Sequence, residues 1–356
     1  MSRPAQAVLH APALAHNLKR VRELAPGRGV MAVIKANGYG HGMIEVAKAL
    51  GEADAFAVAC LDEALLLREA GIQQAMVLLE GFFSPEEFPA IVRHRLTTVI
   101  HHEEQLRMLE TDTPSAPLPV WLKIDSGMHR LGLAPDKVAA AYERLKALPV
   151  ELQGLMTHLA SADERDDPTT SQQLACFQKV TASYGEPKSI ANSAGILAWP
   201  QSHGDWVRPG VMLYGASPFA EQVGQDHGLR PALSLHSQLM AVNRFKRGER
   251  VGYGGEWQCP EDMAVGVVAI GYGDGYPRHA QSGTPVLVNG RRVPLIGRVS
   301  MDMVCVDLRS QPQARIGDPV CLWGPDLPVE EIARHAGTIP YELLCRVTPR
   351  VRSGSE

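Results

Sequence analysis

Residues 30–42 read VMAVIKANGYGHG. Val30–Ile34 is a short, continuous apolar run, and the Asn-Gly-Tyr-Gly-His-Gly that follows is rich in turn residues. That is the pattern of a strand buried on both faces that ends in a loop. Lys35 sits where strand becomes loop. A lysine stem emerging from an apolar strand is partly desolvated, which disfavours the ammonium and frees the neutral amine to act as nucleophile or base. A Schiff-base lysine needs this property. A strand-end lysine with its ammonium in solvent is the commoner arrangement for any single such residue, so the partners elsewhere in the chain decide. The glycines at 38, 40 and 42 do not make a dinucleotide loop: their spacing is G-x-G-x-G, and three residues separate the strand from the first of them.

Outward from this stretch, strand and helix alternate. After a strand-like Gln6–His10 and a helix over 12–24, apolar runs follow at 31–35, 55–59, 76–79, 97–100, 120–124, 152–157, 189–192 and 206–211. Helical segments lie between them at 44–50, 62–70, 85–95, 103–110, 135–147 and 170–184. Eight strands alternating with helices predict a (β/α)8 TIM barrel, with a doubly wound sheet of fewer strands as the alternative. Near Gly228–Pro231 the texture changes to short strands separated by glycine and asparagine turns, with Asn289-Gly290 between apolar runs as a strong hairpin signal. The expected division is therefore residues 1–230 as the barrel and 231–356 as a C-terminal, mostly β domain.

Composition narrows the function classes. The chain has 356 residues, beyond what one core normally holds. With 35 basic against 39 acidic residues the net charge is −4, which argues against nucleic acid or an anionic membrane as main partner. The N-terminus lacks the charged start and apolar core of a secretory signal, and no run is long enough to span a bilayer, so a cytoplasmic location is expected. Six scattered cysteines without a C-x-x-C pair read as reduced thiols, and the 13 histidines show no metal-ligand spacing.

A barrel concentrates chemistry at the C-terminal ends of its strands, and the polar outliers fall there. Lys35 ends the first strand; Lys123, Asp125 and Arg130 (WLKIDSGMHR) follow the fifth; His158 (GLMTHLA) ends the sixth. Asn192-Ser193 (IANSAG) ends the seventh, and Arg208 with Gly210 (WVRPGVMLYG) lies in the eighth. Any one of these is ordinary; their joint arrival at one rim is the signal. Phosphate sites in such barrels use the loops after strands seven and eight and the start of a short helix. Residues 194–198 form a plausible short helix with Ser193 as N-cap. A reactive lysine on one side and a phosphate cradle on the other point to pyridoxal 5'-phosphate.

The series AVIKANGYGHG, WLKIDSGMHRLG, THLASAD, ANSAG, RPGVMLYG, VGYGGEW, AIGYGDGYPR and IGRVSMDM, running from Val8 to about Arg350, resembles that of the alanine racemases. The resemblance implies a pyridoxal-phosphate isomerase interconverting L- and D-alanine, supplying D-alanine for peptidoglycan or degrading it. Lys35 would bind the cofactor and remove the α-proton of D-alanine; Tyr253 would be the opposite base. Tyr39, Ser193, Gly210, Val211 and Tyr341 would hold the phosphate, with Asn192 close by. Arg208 would meet the pyridine nitrogen with His158 behind it, and Arg130 would contact the ring hydroxyl and the substrate carboxylate. Met301 and Asp302 would stand at the substrate end. The resemblance further implies a carbamate on Lys123, orienting Arg130, where the plain alternative is a pairing of Lys123 with Asp125. It also implies a symmetric homodimer whose sites are shared across the interface.

Physical chemistry supports the arrangement. Racemisation needs proton access from both faces of a planar carbanion, hence two bases. A tyrosine, with a pKa of ~10, serves as a base only where neighbouring cations stabilise its phenolate. A guanidinium at the ring nitrogen cannot take up the proton that a carboxylate partner would hold there, which weakens the electron sink and suppresses transamination. Two other functions compete. A pyridoxal-phosphate decarboxylase of the same architecture would call for a glycine run after the seventh strand and a reactive cysteine, and neither is seen. A non-catalytic pyridoxal-phosphate carrier would have no use for the β domain.

Overall fold

The computed structural model describes residues 3–355. Two compact units emerge: one built from 17–38 and 42–213, the other from the chain up to His16, the short segment Tyr39–His41 and everything from Tyr214 onward.

The first unit is a closed barrel of eight parallel strands in sequence order. With the amino-terminal strand Gln6–Leu9 as β1, they are β2 (Gly29–Val33), β3 (Ala55–Val58), β4 (Ala75–Leu78), β5 (Thr97–Ile100), β6 (Leu118–Lys123), β7 (Val150–Met156), β8 (Lys188–Ser189) and β9 (Trp206–Val207). Closure runs through β2 and β9, where Gly29 pairs with Trp206 and Val30 with Val207. A side chain at 29 would collide with the Trp206 ring, 2.6 Å from where a Cβ would sit. Strands such as β3 are buried at every position, as both-face coverage in a parallel barrel demands. Helices at 61–69, 103–111, 138–146 and 169–181 fill the connections.

The amino-terminal strand corrects the expected partition. β1 does not enter the barrel. It pairs antiparallel with β10 (Leu233–Phe245), Ala7 opposite Leu235, and parallel with the last strand of the chain, Arg352–Ser355. Its inside-outside alternation, with Ala7 and Leu9 buried, suits a half-exposed sheet rather than a barrel. The chain also leaves the barrel unit at Tyr214 rather than near 230.

The second unit is organised on an eight-stranded sheet. Its remaining strands, with the small pair β11 (Arg250–Val251) and β12 (Trp257–Gln258) set apart, are β13 (Met263–Val268), β14 (Pro285–Val288), β15 (Arg291–Ile296), β16 (Val304–Asp307), β17 (Pro319–Trp323) and β18 (Arg352–Ser355). The order is β13-β16-β15-β14-β17-β10-β1-β18. The Asn289-Gly290 hairpin forms as expected: both residues have positive φ, 50° and 74°, and Val288 faces Arg291 across it. Among the described residues no helix is long and apolar enough to cross a membrane.

Candidate active site

The chain after β2 does not run into an open loop. Ala36, Asn37, Gly38 and Tyr39 all take left-handed backbone, φ 51–61°, so Lys35 begins a left-handed turn. Three of these residues carry a Cβ and are strained there. The turn is held by defined bonds. Ala36 N–H donates to Glu63 Oε1 (2.7 Å), whose other oxygen accepts from Ala59 N–H (2.7 Å). Asn37 closes the far side, accepting from Gly42 N–H through its carbonyl and from Met43 N–H through Oδ1, each at 3.0 Å. Glu63 and Asn37 hold the turn that follows Lys35, and neither was singled out from the sequence. Glu63 was findable: it stands at the third position of helix 61–69, where an acidic side chain reaches back to the N–H groups before the helix.

In the same unit lie the ends of β6 to β9, with β9 the immediate neighbour of β2. Arg208 is buried. Its Nη1 donates to Ser189 Oγ (2.5 Å) and its Nη2 to the Ile190 carbonyl (3.1 Å) and the Thr157 carbonyl, and Nη2 also approaches His158 Nδ1 (3.3 Å). Burial pushes the guanidinium down to about 10, which leaves it charged at neutral pH. This contact joins two residues that the resemblance named together. Burial, and then the charges of Arg208, Lys123, Arg130 and Lys35, hold the imidazole well below its usual range, so the ring is neutral and Nδ1 accepts. Lys123 is pushed down to about 8, by burial first and then by Arg208, Arg130 and Lys35, with Asp125 opposing. The Asp125 carboxylate itself accepts from Gly127 N–H and His129 N–H (both 3.0 Å) and lies 3.1 Å from His129 Nδ1. It is a turn-forming residue, as Asp-Ser-Gly suggested, and its hydrogen bonds go to that turn rather than to Lys123.

The helix after β8 starts one residue earlier in its capping than expected. Asn192, not Ser193, is the N-cap of helix Ser193–Ala198, accepting from Gly195 N–H at 3.0 Å. The Ser193 hydroxyl turns instead to the next loop: its Oγ accepts from Gly210 N–H (2.9 Å) and Met212 N–H (3.4 Å), tying the seventh and eighth loops together beside Val211. The carboxamide oxygen of Asn192 reaches N3 of the helix, which a serine there would do with a shorter arm.

The second unit holds the other candidates. Tyr39 stacks on Tyr214 (centroids 4.6 Å apart, 23° between planes) and lies 6.2 Å from Tyr341. Burial, with the Cys345 thiol adding, pushes the Tyr39 phenol up, so it remains a donor. Gly40, at φ 81°, passes so close to the Leu344 carbonyl that a Cβ would sit 2.1 Å from its oxygen. Tyr253 opens a short turn between Gly252 and Gly254 and is 68% exposed; Met301 is 52% exposed. Arg298, ion-paired with Glu256, has its guanidinium carbon 3.5 Å from where a Cβ on Gly254 would sit, a cation at the Tyr253 turn. Asp302 follows Met301 and is ion-paired to Arg350 at 2.6 Å.

Two family models match, described as the alanine racemase N-terminal domain over residues 9–218 and C-terminal domain over 232–354. A curated alanine racemase from Nitrosococcus oceani is 57% identical over 97% of this chain and 98% of its own length. Among solved structures, a biosynthetic alanine racemase from Pseudomonas aeruginosa superposes with a TM-score of 0.97 at 47% identity, covering 99% of both chains. The alanine racemase of Acinetobacter baumannii follows at 0.94 and 38%, covering 99% of this chain and all of its own.

Proposed function

Since the chain belongs to the alanine racemase family, we propose that it interconverts L- and D-alanine by a two-base mechanism with pyridoxal 5'-phosphate as its cofactor, in the cytoplasm. The observation that carries this reading is the cation cluster at the barrel rim. Lys35, Lys123, Arg130 and Arg208 act together on His158, and the first, third and fourth of these act on Lys123, against Asp125 alone. Such a concentration of positive charge, part of it desolvated, suits a phosphorylated cofactor and a carboxylate substrate.

Lys35 would hold the cofactor covalently. Tyr39, Ser193, Gly210, Val211 and Tyr341 would hold its phosphate, with Asn192 nearby, and Arg208 its ring nitrogen, with the neutral His158 steadying the guanidinium. When bound, pyridoxal phosphate supplies the electron sink that makes the α-proton removable. Arg130 orients the substrate carboxylate. Lys35 takes the α-proton of D-alanine, and Tyr253 takes that of L-alanine from the opposite face. Lys123, whose amine is easily neutralised, is suited to react with CO2; the resulting carbamate would orient Arg130 as an anion. A homodimer, with Tyr253, Met301 and Asp302 of one chain completing the site around Lys35 of the other, accords with the exposure of Tyr253 and Met301. The barrel portion would bind the cofactor and the β portion supply the second base.

The relatives are racemases, so the decarboxylase reading is not favoured. Lys35→Ala is expected to abolish borohydride-fixed attachment of pyridoxal phosphate and racemisation in both directions. Attachment persisting at another lysine overturns the site, and CO2 release from L-amino acids in place of chiral inversion overturns the reaction.

A further inference from the structure

The two ends of the chain meet beside the Met301–Asp302 turn. β1 and β18 pair in parallel, Gln6 opposite Arg352, so the residues that precede both strands emerge at the same end. Arg3 and Arg350 are those residues, and both guanidinium groups are aimed at the same two carboxylates. Arg3 Nη2 donates to Asp274 Oδ2 (2.7 Å) and to the Asp302 carbonyl (3.0 Å), and its Nη1 lies 3.8 Å from the Asp302 carboxylate. Arg350 Nη2 donates to Asp302 Oδ1 (2.6 Å), and its Nε stands 3.5 Å from Asp274 Oδ1.

Asp274 is fully buried, so its charge has to be compensated, and the two arginines supply that compensation together with Gly271 N–H at 2.9 Å. Asp302 is half-exposed, so packing alone does not fix its side chain. The backbone around it is tied to the Tyr272–Asp274 turn, where Gly273 N–H donates to the Met301 carbonyl (2.9 Å) and Tyr272 N–H to the Ser300 carbonyl (3.0 Å). A side chain at 273 would lie 2.4 Å from Arg350 Nη1, so glycine there lets the guanidinium through.

We infer that Arg3 and Arg350 are positioning residues: anchored on buried Asp274, they clamp Asp302 and with it the turn that presents Met301, and so set the grip on the amino-acid substrate. This rests on the reading that Met301 and Asp302 stand at the substrate end. A clamp of this kind acts on binding more than on proton transfer, so its loss is read in KM.

The experiment compares Arg350→Met, Arg350→Lys, Arg3→Met, Asp302→Asn and the Arg350→Met/Asp302→Asn double variant in the holoenzyme. Arg350→Met and Asp302→Asn should each raise the KM for alanine about fivefold, with kcat within about twofold. The double variant should be no worse than either single one, because the arginine acts through the aspartate. Arg350→Lys should restore part of the loss. Independent, multiplying effects of Arg350→Met and Asp302→Asn overturn the inference, as does a lowered Tm with unchanged KM. Should Arg350→Met not fold, an unchanged KM in Arg3→Met overturns it instead. An unchanged KM in Asp302→Asn shows that Asp302 is not at the substrate end, and the clamp falls with that reading.

Discussion

At the scale of single residues, the site is governed by charge crowding. Lys123 shows it most directly, with burial and three neighbouring cations bringing its amine to about 8 from an ordinary lysine value. Carbamylation needs the neutral amine, so a carbamate signal from isotopically labelled bicarbonate, followed by carbon NMR, should grow as pH rises from about 6.5 to about 8.5. No such signal at either pH would remove the carbamate from the proposal. Without CO2, the depressed amine links stability to pH. Below about 8 both folded and unfolded chains hold the proton, and the folded state bears the whole cost of the crowded charge. Between about 8 and the unfolded value of ~10.4 only the unfolded chain retains the proton, so stability rises with pH across that window. Arg208 is depressed by burial too, but from a higher ordinary value, so at about 10 it stays charged while its fork is held by Ser189, Thr157 and Ile190. Arg208→Lys has the charge but not the fork, leaving some of Ser189, Thr157 and Ile190 unpaired. It should cost about 3 kcal/mol in denaturant unfolding and most of the activity. Full activity in that variant would show that charge alone suffices.

Among the elements, the left-handed turn from Lys35 to Tyr39 combines strain with precision. Ala36 and Asn37 lie in a region that costs an L-residue roughly 1–2 kcal/mol, and Glu63 and Asn37 hold the turn against that cost. Ala36→Gly removes one strained Cβ and should stabilise the fold by about 0.5 kcal/mol, after the added flexibility of the unfolded glycine is offset. Gly40→Ala does the reverse. It puts a Cβ against the Leu344 carbonyl at positive φ, and should destabilise by more than about 2 kcal/mol while disturbing the Tyr39 and Tyr341 rings. Thermal unfolding of the two variants in parallel checks both, and a Gly40→Ala protein as stable as the parent would contradict the close approach.

For the whole molecule, the candidate residues divide between two units. Lys35, Lys123, Arg130, His158, Asn192, Ser193, Arg208, Gly210 and Val211 belong to the barrel; Tyr39, Tyr253, Met301, Asp302 and Tyr341 belong to the other unit. The proposal of a shared site in a homodimer is tested by mixing Lys35→Ala with Tyr253→Phe subunits. A mixed dimer has one doubly damaged site and one intact site, so racemisation should return on subunit exchange. Activity that stays at the parental level, with mixed dimers demonstrated, would place both bases in one chain.

The sequence by itself determined the alternation of apolar runs such as 55–58 with helices, which fits parallel strands covered on both faces; that the eight strands close into a barrel through β2 and β9, and do not spread into a doubly wound sheet, only the tertiary structure decided. The sequence also placed Lys35 and His158 near strand ends, since strand-end position follows from local pattern, whereas Arg208, read inside the eighth strand, lies just past it because β9 ends at Val207. Tertiary structure alone decided where β1 goes: its four residues alternate in burial, and alternation says that one face is exposed without naming the sheet. It likewise decided the cap at Asn192 over Ser193, a shift of one residue that rests on backbone angles, and the left-handed turn that follows Lys35. The meeting of Arg3 with Arg350 was out of reach of local reading for the same reason. Pairing between the two ends of a chain leaves no local periodicity, because the contact exists only once the sheet between them has formed.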